Sequence, residues 1–343
     1  MLAGAPRVAA GSTFAPVLAR LESSAETLFG GAIRRFETGR AIEGPSARLL
    51  PVRIHTSSAS VDLFVKRFVP AGDVPEAFER AARYIQWESE RTLQAAAIFR
   101  SSPALGVSRV VASFPDLLAL VTERCPGTGL DRVLRRLAIV RSGKAMNRAV
   151  AAFSRVGEWL RRFQAGVPVR NPAIRKDYRE YLDIRLRALA ASARSGFTDD
   201  HRRTLLHVFE TVRRQVDAAD LALVATHADL CPANVLVRDG GVTVVDFAMS
   251  SDGNRYVDLA HLALHLRLLG RRWRLGSVVN RLERALLEGY NPDLGADAPL
   301  LKLMMVQHSA CYLAGGAAKA RGWMDERVLR GRVAWALRMF TQL

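Results

Sequence analysis

Three oxygen-bearing side chains, Asp229, Asn234 and Asp246, stand in the stretch THADLCPANVLVRDGGVTVVDF at residues 226–247. NVLV and VTVVDF are apolar, valine-rich runs around Arg238-Asp239-Gly240-Gly241, the pattern of a β-hairpin closed by a glycine turn. A turn centred near Gly240 pairs residues whose numbers sum to about 480. That register puts Asn234 and Asp246 side by side at the open end of the hairpin. A carboxylate beside a carboxamide oxygen suits a hard divalent cation whose other ligands are phosphates and water. Asp229 lies on the loop leading into the same strand end. Any one of the three alone would read as a turn former or cap. Together, in this order around a hairpin, they read as a reaction centre.

Such a cluster needs a scaffold, and the chain supplies one in two parts. From about Arg34 to Val69 the pattern is strand-like: RLLPVRIH and VDLFVKRFV flank the polar turn TSSAS. Residues 75–99 have apolar residues at three- and four-residue spacing and predict a helix. GVSRVVASF and LLALVTER are two further strand candidates joined by a Pro-Asp turn. Beyond Gly129, long amphipathic helices dominate, with one β island from Leu221 to Phe247. The expected class is therefore α+β, with a small sheet-plus-helix lobe before a larger helical lobe and a boundary near Glu123–Gly129.

The segment His227-Ala228-Asp229-Leu230-Cys231-Pro232-Ala233-Asn234 resembles the His-x-Asp-x-x-x-x-Asn catalytic loop of the aminoglycoside phosphotransferase-like kinases, relatives of the protein kinases. Asp246-Phe247-Ala248 is similar to that family's metal-binding Asp-Phe-Gly element, with alanines at 228 and 248 where the family usually has glycine. The resemblance implies a two-lobed protein-kinase-like fold: an extension over residues 1–33, an N-lobe over 34–124 and a C-lobe over 125–343. It implies ATP and Mg2+ as cofactors, Asp229 orienting or deprotonating an acceptor hydroxyl, and Asn234 and Asp246 holding the metal. His227 and Asp258, the latter in NRYVDLAHL, are implied to support the loop.

The same resemblance asks the N-lobe for a strand lysine and a helix glutamate. Lys66, in the otherwise apolar VDLFVKRF, is the expected lysine. Glu90 is its expected partner ahead of Glu88, because Glu90 shares a helix face with Trp87, Leu93 and Ala97. LLALVTERCPG resembles the strand and hinge that receive adenine, with Glu123 to Cys125 as the contact. Between Phe36 and Leu50 only Gly39 and Gly44 offer a phosphate-covering loop. This sparseness is what a non-catalytic pseudokinase would share, whereas the retained Lys66, Asp229, Asn234 and Asp246 point to an enzyme.

Composition narrows the acceptor and the setting. The net charge is +17, of which residues 1–130 carry +3 and residues 131–343 carry +14. An excess of this kind favours anionic partners such as phosphorylated metabolites, anionic glycans or lipid headgroups, unless it is only compositional. Lys/Arg runs with interleaved aromatics are absent, which disfavours nucleic acid. The expected acceptor is a small hydroxylated molecule, a sugar, glycan or anionic metabolite, with an aminoglycoside antibiotic as the alternative. Its contacts are expected on the helices from Lys176 to Arg214 and from Arg267 onward. Three scattered cysteines exclude a disulfide framework and point to a reducing compartment. Neither a signal-peptide pattern nor a transmembrane run is visible, so a cytoplasmic setting is expected.

Overall fold

The computed structural model describes residues 13–44, 46–72, 74–170, 177–273 and 275–340. Residues 1–12 of the expected extension, and Lys176 at the start of the expected acceptor region, lie outside these. In chain order, helices α1 (Ala15–Ser23) and α2 (Ala25–Phe29) precede strands β1 (Arg35–Thr38), β2 (Ile42–Glu43), β3 (Ala47–His55) and β4 (Ser60–Phe68). Helix α3 (Pro75–Phe99) is followed by β5 (Leu105–Val107), β6 (Val110–Phe114), β7 (Ala119–Glu123) and β8 (Thr128–Gly129). Then come α4 (Leu130–Val140), α5 (Gly143–Gly166), α6 (Tyr178–Ala190) and α7 (Asp199–Arg213). Strands β9 (Leu223–Thr226), β10 (Val235–Arg238), β11 (Gly241–Val244) and β12 (Ser251–Asn254) lead to α8 (Val257–Trp273), α9 (Gly276–Tyr290), α10 (Pro299–Lys319) and α11 (Trp323–Phe340).

Two compact units result. The first comprises the described residues up to Thr128 together with Leu236–Ser250; the second comprises Gly129–Val235 and the described residues from Ser251 onward.

In the first unit, an antiparallel sheet runs β1-β3-β4-β7-β6, with β2 on β3. Strand alternation divides its two faces. Val52, Ile54, Leu63, Val65 and Val121 pack with Val17, Leu18 and Leu21 of α1 in one core. Phe68, Leu118 and Leu120 pack with Ala81 and Ile85 of α3 in another. The described part of the 1–33 segment thus completes the core of the sheet. The run GVSRVVASF does not form one strand: β5 pairs in parallel with β11, while β6 pairs with β7. The hairpin is present, β10 and β11 being neighbours in a second sheet of order β5-β11-β10-β8. Gly240 closes its turn at φ +75°, a left-handed conformation that glycine adopts without steric cost.

The second unit is built on α5, whose Phe153, Val156, Trp159, Leu160 and Phe163 are fully buried. Gly157 and Gly289 let α5 and α9 approach closely, since a Cβ at Gly157 would stand 2.2 Å from the Leu286 carbonyl oxygen. Strands β9 and β12 form an antiparallel ribbon in which Thr226 faces Ser251. Helix α10, read from sequence as a buried segment, packs against α6, α7, α8 and α11. Among the described residues, no helix is long and apolar enough to cross a membrane.

Candidate active site

In the first unit, β4 directs Lys66 away from the α1 core and toward α3. Its ammonium donates to both carboxylate oxygens of Glu88, at 3.0 and 3.1 Å, and to Oδ1 of Asp246 at 2.6 Å. Glu88 is only 4% exposed, whereas the Asp246 side chain is 45% exposed. Burial by itself would lower the lysine pKa, but the two carboxylates outweigh it and hold the ammonium protonated above its ordinary range. Burial also pushes the Glu88 carboxyl up, and the nearby Asp246 adds to this while Lys66 opposes it. Asp246 itself has φ +68°, a left-handed conformation that costs a non-glycine residue about 1–2 kcal/mol. Strain of this kind persists where surrounding structure enforces it, and it clusters at reactive sites.

The expected partner Glu90 is corrected to Glu88. The buried face of α3 runs through Ala77, Ala81, Ile85, Glu88, Thr92, Ala95 and Phe99, in steps of four, four, three, four, three and four, with Ser89 and Arg91 buried beside it. Trp87, Leu93 and Ala97, which seemed to mark the inner face, are exposed, and Glu90 is exposed with them. Apart from Ile85 and Phe99 this face carries small or polar side chains, so the large side chains opposite point to the wrong glutamate. Replacing Glu88 with glutamine is therefore expected to lower kcat/KM for the nucleotide about tenfold or more, the scale of losing one partner of a buried pair. Glu90→Gln should change it by less than about twofold, as for an exposed charge. Steady-state kinetics at varied nucleotide concentration separates the two.

At the end of β7, the Glu123 carboxylate pairs with Arg109. Its backbone N–H donates to the Arg109 carbonyl at 2.9 Å, and that of Arg124 donates to the Asp62 carbonyl at 2.9 Å. Cys125 follows, its thiol pushed up to about 11, first by burial and then by Glu123. A thiol so protonated is an inert wall, not a nucleophile.

In the second unit, β9 delivers His227 and Asp229. The buried Asp258, in the first turn of α8, accepts from the backbone N–H groups of His227 and Ala228 at 2.8 Å each. That clamp holds Ala228 at φ +61°, a position that suits the glycine usual in similar loops. Next, Asn234 ends a 3-10 turn, Pro232–Asn234. Its amide nitrogen donates to the Asp229 carbonyl at 2.9 Å and to Asp229 Oδ2 at 3.0 Å. With the NH2 group turned to Asp229, the carboxamide oxygen is the atom of Asn234 that can ligate a cation. Asn234 and Asp246 both bring hard oxygen donors, the chemistry magnesium prefers. Among the described residues no group of three or more His, Cys, Asp or Glu could hold a metal. Magnesium takes most of its ligands from substrate phosphates and water, so it asks few oxygen atoms of a protein.

Behind the loop lies a histidine cluster, of which the sequence shows only the i,i+4 pair His261 and His265 in HLALH, a pair without the acidic general base of a zinc-protease pattern. His261 and His265, one turn apart on α8, have their Nε2 atoms 3.1 Å apart, and His308 of α10 stacks on His261 at 4.8 Å. Burial lowers the His261 pKa to about 3, helped by His308, His265 and His227, and lowers that of His308 to about 4. The unfolded chain would bind protons here near pH 6.5 while the folded protein refuses them, so this contribution is complete above pH 6.5 and is lost as pH falls toward 4. Unfolding free energy should drop by about 1.4 kcal/mol per pH unit for each excluded proton below pH 6.5. Urea melts between pH 7.5 and 5 check this, and His261→Phe should flatten the slope.

Comparison with known proteins follows the same lines. The sequence profile of the phosphotransferase enzyme family matches residues 46–300, more than half of the chain. No curated protein matches the chain. Among solved structures, a choline/ethanolamine kinase family protein from Mesorhizobium loti superposes with a TM-score of 0.59 at 15% identity, over 96% of this chain and 95% of its own. A microcompartment-associated aminopropanol kinase gives 0.56 at 14% identity, over 95% and 97%. The ADP-bound aminoglycoside phosphotransferase APH(2'')-Ib gives 0.54 at 12% identity, over 94% and 97%.

Proposed function

The chain belongs to the phosphotransferase enzyme family and has an α+β kinase-like fold, and from that premise we propose that it transfers the γ-phosphoryl group of ATP to a hydroxyl of a small molecule, using magnesium. The arrangement at Lys66 carries the reading. A buried ammonium is gripped from the protein side by Glu88 and from the open side by the strained, half-exposed Asp246. Such an ammonium is placed to take phosphate oxygens once Asp246 turns to a cation. Magnesium, when bound, neutralises charge on the transferring phosphate. Asp246 and Asn234 would hold it.

Asp229 takes the part of the base. Asn234 orients it by donating to its Oδ2 at 3.0 Å, and the carboxylate would accept a hydrogen bond from the acceptor hydroxyl. As the acceptor oxygen bonds to the γ-phosphorus, the bond to the β,γ-bridging oxygen breaks, ADP leaves and the hydroxyl proton passes to Asp229. At the end of β7, with the Glu123 and Arg124 N–H groups committed to the sheet, the Cys125 N–H and the Glu123 carbonyl, which accepts only a weak contact from the Cys125 thiol at 3.8 Å, would meet an adenine edge.

For the acceptor, the proposal is a sugar, glycan or anionic metabolite. The structural relatives are named for choline or ethanolamine, aminopropanol and aminoglycosides, all amino alcohols. The charge of +14 over residues 131–343 opposes a cationic acceptor and favours a neutral or anionic one. The test is ADP release with magnesium-ATP, with 31P NMR of the product, against sugars, phosphosugars, amino alcohols and aminoglycosides. A phosphate ester formed on a sugar or anionic alcohol supports the proposal. An ester formed only on amino alcohols overturns the acceptor class alone, and no ester on any of them overturns the transfer reading.

A further inference from the structure

From Arg132 to Gly157 the chain holds seven Lys and Arg residues and no Asp or Glu. Helix α4 opens this stretch, and its two faces differ sharply. Leu130, Val133, Leu134 and Leu137 are buried, and the helix packs on α5 and on the turn Pro232–Asn234 that carries Asn234. Arg132, Arg135, Arg136, Ile139 and Val140 occupy the opposite stripe, at i, i+3, i+4, i+7 and i+8, and all are exposed. Ile139 is 79% exposed and Val140 is 53% exposed. Arg141, at φ +47°, turns the chain at the helix end, and exposed Lys144 and Arg148 follow at i,i+4 on α5. Asp131 is the nearest acid in sequence, and Arg135 meets it at 3.6 Å.

Two bare aliphatic side chains beside six cations form a small apolar tip in a basic collar. We propose that this end of α4, with the start of α5, docks the protein on an anionic phospholipid bilayer. Ile139 and Val140 would enter the headgroup boundary, while Arg132, Arg136, Arg141, Lys144 and Arg148 meet lipid phosphates. The charge complementarity favours any polyanion, but the protruding aliphatics select the bilayer. A nucleic-acid backbone gains nothing from an exposed isoleucine and would rather meet aromatic or amide side chains. Anionic surfaces attract each juxtaposed Lys or Arg, and buried apolar area adds to this. Only the outer stripe takes part, so docking leaves the catalytic loop packed as it is.

The experiment is sedimentation of the full chain with sucrose-loaded vesicles of phosphatidylcholine alone or with about a third phosphatidylglycerol, an anionic content of physiological order. The protein is expected to pellet with the anionic vesicles and not the neutral ones, and less so as salt rises. Ile139→Ser/Val140→Ser and, separately, Arg132→Ser/Arg136→Ser should each weaken partitioning roughly tenfold or more. Both double variants alter exposed side chains only, so melting temperature and ATP turnover should stay as in the wild type. Failure to bind anionic vesicles, or binding unchanged in both variants, overturns the proposal. So does a duplex or single-stranded oligonucleotide that binds more tightly than the vesicles and loses nothing with Ile139→Ser/Val140→Ser.

Discussion

Asp246→Ala is expected to lower kcat roughly 10²–10³-fold while leaving the fold as stable as the wild type to within a few degrees of Tm. The loss follows from position. Asp246 is the half-exposed carboxylate on the open side of Lys66, and the proposed function makes it a magnesium ligand. The stability side is less obvious and more discriminating. In the resting protein one ammonium faces two carboxylates, and Asp246 raises the proton affinity of the buried Glu88. Removing Asp246 leaves a matched Lys66–Glu88 pair and ends that repulsion. The gain offsets the lost 2.6 Å ion pair and the poorer fit of alanine to φ +68°. Activity lost with stability retained is the signature of a site residue kept at an energetic cost. Parallel turnover and melting measurements check it, and a large fall in Tm would mean that Asp246 is structural.

Asp258→Ala should show the opposite signature, a loss of about 3–5 kcal/mol of stability. The Asp258 carboxylate is fully buried and is the acceptor for two consecutive backbone N–H groups, those of His227 and Ala228. Each of those donors, buried without a partner, carries a desolvation penalty of about 1–3 kcal/mol. The strained Ala228 would then relax, and Asp229 would lose its orientation. Activity falls with stability here, because loop and fold share one clamp. Asp258→Asn offers one acceptor in place of two and should lie between. Urea denaturation of the three proteins gives the series directly.

The hairpin was legible because its signals are local: two valine runs and a glycine turn. The kinase-like family assignment rested on residues 226–262, and the match over 46–300 bears it out. Strands β3, β4 and β7 were visible by alternation and by their turns. What was hidden depended on distant partners. The run GVSRVVASF reads as one strand, yet it breaks near Ser108 and Arg109 because Leu105–Val107 pairs with residues 242–244 while Val110–Phe114 pairs with β7. Glu88 was passed over for Glu90 because hydrophobic spacing assumes that the inner face of a helix is the greasiest. Here that face accommodates a buried ion pair, and around Glu88 it mixes Ala, Ser and Thr with only Ile85 and Phe99 as large apolar side chains. The i,i+4 pair His261 and His265 is visible in the sequence, but the third member of the cluster is not: His308 is 47 residues from His261 and joins it only through the packing of α8 on α10.

The most direct test of the phosphotransferase account is acceptor-stimulated ADP release from magnesium-ATP by the wild type and by Asp229→Asn, with nucleotide affinity measured alongside. Asn at 229 keeps the shape of the side chain and removes its ability to take a proton. The account predicts a fall in turnover of about 10²–10⁴-fold, with magnesium-ATP binding within about twofold of the wild type. Turnover that survives the substitution would contradict it.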